Sequence, residues 1–229
     1  MDDGLLHEPG DVAVRVTPDG LIVVDDKFAQ NVADVLEKVK SISAQPIKYL
    51  LNSHHHADHV GGDGEIQKLG IEIVAHRNVR ENILKNKQPG PPRIVFNDQA
   101  SVHLGGVEVQ MRYLGRGQTN GDTVTYFADL RTVHTGDLVI DGMPVIDYAN
   151  GGSAVEFVKT LNNLMTIDFD TVIPGHGDPF TDKTRLRHYQ AYLRDLWKQA
   201  SAWKERGVAA EEAAKRIDRE GETWGKPMA

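Results

Sequence analysis

At 229 residues, 40% hydrophobic and 26% charged, the chain is long enough for one sizeable core and short for two, so a single domain over 1–229 is expected. Its 26 Lys and Arg against 33 Asp and Glu give a net charge of −7 without a long basic run, which argues against nucleic acid, because phosphate backbones require a positive surface. The absence of cysteine excludes disulfides and thiolate ligands, and no apolar run approaches the roughly 20 residues needed to span a bilayer. Met1-Asp2-Asp3-Gly4 is acidic where an export signal is basic and then apolar. No signal peptide is visible there, and the compartment stays open between periplasm and cytoplasm.

In chain order, the runs Val12 to Val16 and Leu21 to Val24 flank the turn Pro18-Asp19-Gly20 and predict a β-hairpin. Helical spacing of Phe28, Val32, Val35, Leu36 and Val39 predicts a helix over 28–39. Strand Ile47 to Leu51, a helix near Asp63 to Leu69, strand Ile71 to Ala75 and helix Val79 to Leu84 continue an alternation that points to a layered α/β domain. Lys87 to Phe96, with Pro89-Gly90-Pro91-Pro92, reads as a loop. A second set of strands is expected at Ser101 to Leu104, Val107 to Tyr113, Thr123 to Phe127, Thr132 to His134 and Leu138 to Ile140. Ser153 followed by Glu156 has capping-box spacing, so a helix should run from about Ala154 to Met165, burying Val155, Val158, Leu161, Leu164 and Met165. Thr171 to Ile173 is the last expected strand. An amphipathic helix from Asp182 to Glu205, with Leu186, Tyr189, Leu193, Leu196 and Trp197 on one side, and a short charged helix from Ala209 to Glu220 complete the chain.

The most informative segment is His54-His55-His56-Ala57-Asp58-His59, directly after an apolar strand and before Gly61-Gly62. Imidazole and carboxylate are the usual donors for zinc, iron and manganese. In an extended segment side chains alternate, so His54, His56 and Asp58 are expected on one side and His55 on the other, supporting the loop. The spacing is that of a loop at a strand end rather than of two histidines four apart on a helix. His76, His103, His134 and His188 read as structural or surface histidines.

The pattern H-x-H-x-D-H resembles the signature of the metallo-β-lactamase superfamily. Thr135-Gly136-Asp137 is similar to the segment that supplies that family's bridging carboxylate, and Pro174-Gly175-His176-Gly177 to its last histidine motif. The resemblance implies a four-layered αββα sandwich of two face-to-face sheets with helices outside and metals at one edge. Carried over by position, it implies that His54 and His56, with Gln118 in the third place, hold a first metal. Asp58, His59 and His176 would hold a second, with Asp137 bridging both. In Leu114-Gly115-Arg116-Gly117-Gln118-Thr119-Asn120-Gly121-Asp122 the glutamine stands where the family has histidine. An amide oxygen is a weaker donor than imidazole, so the first site should be weakened, with Gln118 either ligating or only hydrogen-bonding nearby.

The implied cofactor is zinc, up to two ions, with iron or manganese as alternatives. The implied activity is metal-dependent hydrolysis, in which a metal-bound hydroxide, oriented by Asp58, attacks an acyl substrate such as a β-lactam, lactone or thioester. Asp137 is shared with the family's glyoxalase II and lactonase branches, which tilts the reading away from a dedicated β-lactamase. Two readings compete: a mononuclear iron enzyme of the sulfur dioxygenase type, and a non-catalytic metal-binding member of the fold. Met143 to Gly152 joins the bridging-Asp segment to a helix start, which makes Tyr148 and Asn150 candidates for a pocket that takes a small-molecule substrate.

Overall fold

The computed structural model describes residues 10–181 and 183–217. Two five-stranded sheets organise them. The first pairs β1 (Ala13–Thr17), β2 (Gly20–Val24), β3 (Ile47–Asn52), β4 (Glu72–His76) and β5 (Ile94–Phe96) in that order, with only β1 and β2 antiparallel. The second pairs β6 (Gln99–Leu104), β7 (Val107–Tyr113), β8 (Thr123–Phe127), β9 (Thr132–His134) and β10 (Thr171–Ile173), with only β9 and β10 parallel.

Side-chain alternation explains how the layers stack, because successive strand residues face opposite sides of a sheet. Ile22, Val24, Leu51 and Val74 of the first sheet pack on Val102, Val109, Met111 and Phe127 of the second, forming the core between the sheets. The neighbouring residues Leu21, Val23, Leu50 and Ile73 point outward and are covered by Val32, Val35 and Val39 of α1 (Val32–Ile42). Beyond the site loop and its one-turn helix α2 (Ala57–Val60), α3 (Asp63–Lys68) adds Ile66 to that cover, and α4 (Arg77–Lys85) buries Val79 and Ile83 against Ala75. On the far side, Val124, Tyr126, Val133 and Val172 face α5 (Ala154–Leu164) and α6 (Lys183–Glu205), which contribute Phe157, Leu161, Leu164, Leu186, Tyr189 and Leu193. The architecture is therefore the expected αββα sandwich, and the last described helix is α7 (Ala210–Arg216). No helix among the described residues is long and apolar enough to cross a membrane.

Several elements differ from the sequence expectation. Leu138 to Ile140 is not a strand. Gly136 takes φ 49°, and Gly136–Leu138 close a 3-10 turn that tips Asp137 into the interior, leaving only a bridge between Ile140 and His176. The expected loop over 87–96 ends in β5, because the unsatisfied edge of β4 recruits Ile94–Phe96. The first helix begins at Val32 rather than Phe28. Asp25 and Lys27 adopt positive φ, and a 3-10 turn at Ala29–Asn31 makes the transition.

Ser153 caps α5 by accepting from Glu156 N at 3.2 Å, but the Glu156 side chain turns to Arg116 instead of closing the capping box. Val155 is 66% exposed rather than in the buried stripe, and Phe157 takes its place. Likewise, Trp197 is exposed on α6 while Leu186, Tyr189 and Leu193 carry the packing. Met1 to Gly4, Asp182 and the far end of the helix expected to reach Glu220 lie outside the described residues.

Phe157 is fully buried and meets the Tyr189 ring edge-on at 6.4 Å. Phe157→Ala should cost about 3–5 kcal/mol by opening a cavity between α5 and α6, whereas Val155→Ala should change stability by less than about 0.5 kcal/mol. Urea unfolding of the two variants checks the reversal of the helix face.

Candidate metal centre

Every functional loop leaves a strand at the same edge of the sandwich. His54 to His59 follow β3, Asp25 follows β2, Asp137 follows β9 and His176 follows β10, while residues 117–122 lead into β8. Parallel pairing of β2 with β3 and of β9 with β10 brings the carboxyl ends of two strands in each sheet to this edge. Such ends are where open α/β sheets place their ligands. Close approach makes Gly175 necessary: a Cβ there would lie 2.1 Å from Asp137 Oδ1.

Asp58, His59, Asp137 and His176 converge at the centre. His176 Nε2 lies 3.1 Å from Asp58 Oδ2, 3.3 Å from His59 Nε2 and 3.4 Å from Asp137 Oδ1. His59 Nε2 lies 3.5 Å from Asp58 Oδ2 and 3.1 Å from Asp137 Oδ1. Four donors around one zinc at 2.0–2.1 Å are separated by about 3.3 Å along each tetrahedral edge, and each of these five contacts is close to that length. The donor chemistry fits as well, with two imidazoles and two carboxylates. The side chains of His59 and Asp137 are almost wholly buried, while Asp58 and His176 are 20% and 25% exposed and form the open side.

Beside this set, His54 Nε2 is buried 3.7 Å from Asp137 Oδ2 and has no hydrogen-bond partner among the described residues. Gln118 Nε2 donates to Asp137 Oδ2 at 2.7 Å, and its own buried Oε1 has no hydrogen-bond partner among the described residues. Gln118 is thus within the centre and spends its amide N–H on the carboxylate.

The expected alternation along the His run does not hold. Ala57–Val60 turn into a helix immediately after His56, ending the extended backbone on which alternation depends. His55 and His56 consequently lie together, with ring centroids 4.7 Å apart, and both face Asp147. The distances to Asp147 Oδ2 are 3.0 Å from His56 Nε2 and 3.6 Å from His55 Nε2.

Two participants were absent from the sequence reading. Asp25 is fully buried, accepts from Ser53 N at 2.8 Å and Ser53 Oγ at 2.7 Å, and lies 2.8 Å from His59 Nδ1. It fixes the His59 ring so that Nε2 faces the centre, the second-partner role that orients metal-binding histidines. Its one sequence signal is an acid directly after the apolar strand β2. Asp147 lies within the 143–152 segment, one residue before Tyr148. Tyr148 is 70% exposed, and Asn150 Nδ2 donates to Asp147 Oδ2 at 2.6 Å. His134 is buried as a structural histidine, with Nε2 3.2 Å from the Asp11 carbonyl, and His76 stacks on Tyr113.

The electrostatics follow from crowded carboxylates. Burial opposes a charge on His59, but Asp137 and then Asp25 raise its pKa well above the ordinary imidazole value. Burial also opposes a charge on His176, yet the carboxylates of Asp137 and Asp58 push its pKa up to about 9. Burial would raise Asp137, but the imidazoles of His59 and His54 hold it well below the carboxylate range. His54, buried beside His59, is lowered and stays neutral.

The chain belongs to the metallo-beta-lactamase superfamily, whose sequence model matches residues 12–176. The fold of this family implies divalent metal binding, often of zinc. Among similar proteins, the 2,4-dinitroanisole O-demethylase subunit alpha of Nocardioides sp. (strain JS1661) is 24% identical over 162 residues, covering 69% of this chain and 49% of that protein. The hydroxyacylglutathione hydrolase of Pelagibacter ubique (strain HTCC1062) is 32% identical over 116 residues, covering 50% of this chain and 44% of that one. The chain thus spans about half the length of these curated relatives. A metallo-beta-lactamase from Pontibacter korlensis superposes with a TM-score of 0.72 at 21% identity, over 79% of this chain and 85% of that one.

A divalent ion taken by the central four residues must displace protons from His59 and His176. Zinc binding should therefore release protons at pH 7, and apparent affinity should rise with pH up to at least about 9, the value about which His176 loses its own proton. Calorimetric titrations in buffers of different ionisation enthalpy test this. Heats independent of buffer, with an affinity flat in pH, would contradict it.

Proposed function

We propose that this protein is a metal-dependent hydrolase of an acyl compound, working as one metallo-β-lactamase-like domain. The observation that carries the reading is the set Asp58, His59, Asp137 and His176, in which each imidazole lies within 3.5 Å of both carboxylates, open to solvent along its Asp58 and His176 side. Packing of α6 onto the same core as α5 supports treating the C-terminal helix as part of that domain.

In this reading Asp58, His59, Asp137 and His176 would hold one metal, zinc being the best match to the donors, with His54 beside Asp137. When bound, the cation supplies Lewis acidity and lowers the pKa of water toward neutrality. The chain's own residues do the positioning. Asp25 and Ser53 lock His59, Gln118 fixes the Asp137 carboxylate, and Gly136 and Gly175 let the strand ends close around it. Asp58, partly open to solvent and 3.1 Å from His176 Nε2, would orient the attacking water and receive its proton.

The acyl class is supported by the names of two relatives, a hydroxyacylglutathione hydrolase and a metallo-beta-lactamase. The O-demethylase relative adds an aryl methyl ether to the substrates worth testing. A mononuclear iron oxidoreductase is the second reading, favoured by the Gln118 amide bound to Asp137 where the family has a third imidazole.

Hydrolysis of a β-lactam, a lactone, a thioester and an aryl methyl ether by the zinc-loaded protein tests the proposal. Asp58→Ala and His176→Ala should each lower the rate on the accepted substrate by on the order of 100-fold or more, with the far-ultraviolet circular dichroism unchanged. Binding of iron in preference to zinc, with oxygen consumption and no hydrolysis, would favour the second reading instead.

A further inference from the structure

His55, His56 and Asp147 form a second group of donors, separate from the central four. Their nearest ligand atoms all lie within 4.8 Å of one another. The two contacts to Asp147 Oδ2, 3.0 Å from His56 and 3.6 Å from His55, bracket the roughly 3.3 Å edge expected between donors on one tetrahedral ion. His55 is buried, and the side chains of His56 and Asp147 are 25% and 17% exposed, so the group is held from within and reached from outside.

The loop that carries Asp147 is fastened to the residue that breaks the family pattern. Asp147 N donates to the Gln118 carbonyl at 2.8 Å, and Gly152 N returns to the Asp147 carbonyl at 2.8 Å. Asn150 N donates to Asp147 Oδ1 at 3.1 Å. A Cβ at Gly152 would lie 2.0 Å from the Gln118 carbonyl oxygen, so a side chain there would push the loop away. His54 Nε2 faces Asp137 instead, and the Asn82 amide lies 3.5 Å from His55 Nδ1, leaving His55 Nε2 for Asp147.

We propose that His55, His56 and Asp147 bind a divalent cation of the zinc and cobalt type, in place of the position that Gln118 weakens. This rests on the reading of the chain as a metal-dependent hydrolase. Two imidazoles and a carboxylate with open positions toward solvent are a sufficient donor set for such an ion. His56 then serves the outer position, and Gln118 serves as a hydrogen-bond donor that holds Asp137 rather than as a ligand.

Equilibrium dialysis of the whole chain against Co²⁺ or Zn²⁺, followed by metal analysis, tests the assignment. The protein should bind two equivalents with unequal affinity. Asp147→Asn and His55→Phe should each lose the weaker equivalent and keep the tighter one, which also reports that the variant is folded. Gln118→Ala should keep both. Retention of two equivalents by Asp147→Asn and His55→Phe, or loss of the weaker one in Gln118→Ala, would overturn the outer position and leave His56 and Asp147 as a hydrogen-bonded pair. A single equivalent bound by the unaltered protein also overturns it but leaves the hydrolase reading standing. No metal bound at all overturns both.

Discussion

His59 is buried between two carboxylates, Asp25 at 2.8 Å from its Nδ1 and Asp137 at 3.1 Å from its Nε2, and the centre is built around that contact. A buried charge is tolerated only when it is paired and hydrogen-bonded, so each member of this chain needs the next. Asp25 is satisfied by Ser53 and His59, and Asp137 accepts from Gln118 at Oδ2 while its Oδ1 faces the His59 and His176 imidazoles at 3.1 and 3.4 Å. Removing one acid would leave a buried imidazole without its partner, a larger loss than the net value of the contact itself.

The sandwich makes this concentration of polar groups possible. Strand β2 is buried along its whole length and β3 along its carboxyl half, and their hydrogen-bonded backbones place Asp25 and His54 just where the strands stop. The same cooperation fixes Gly136 and Gly175, whose neighbours leave no room for a Cβ near Asp137. Packing of apolar layers and placement of ionisable groups are therefore one design: the core holds the strand ends still, and still ends hold the donors at fixed spacing.

Substitution of glutamine at position 118 changes the electrostatics more than the shape. An amide donates to Asp137 Oδ2 but carries no charge, so it can hold that carboxylate without competing with His59 and His176 for its negative field. The Asp147 loop is attached to the Gln118 backbone, through bonds that do not depend on the side chain. Gln118 can thus differ from the family's histidine while the surrounding loop geometry persists.

Local sequence patterns carried much of this protein. The period of the strands and of α1, α5 and α6 gave the layers, because burial on one face is a repeating property that neighbouring residues report together. The residue types in His54 to His59, Asp137 and His176 pointed to metal chemistry because few other roles gather so many imidazoles and acids. The sequence also determined that the third position is an amide.

Which side chains meet is set by the packing of distant strand ends. Asp25 reaches His59 across 34 residues and Asp147 reaches His56 across 91, and nothing local marks either acid as a partner. The turn of the chain at Ala57 regrouped His55 with His56, and the 3-10 turn at Gly136 replaced an apparent strand, because contacts with other strand ends overrode the local preference for extended backbone. Periodicity is a property of a segment, whereas a site of this kind is a property of several strand ends brought together by packing.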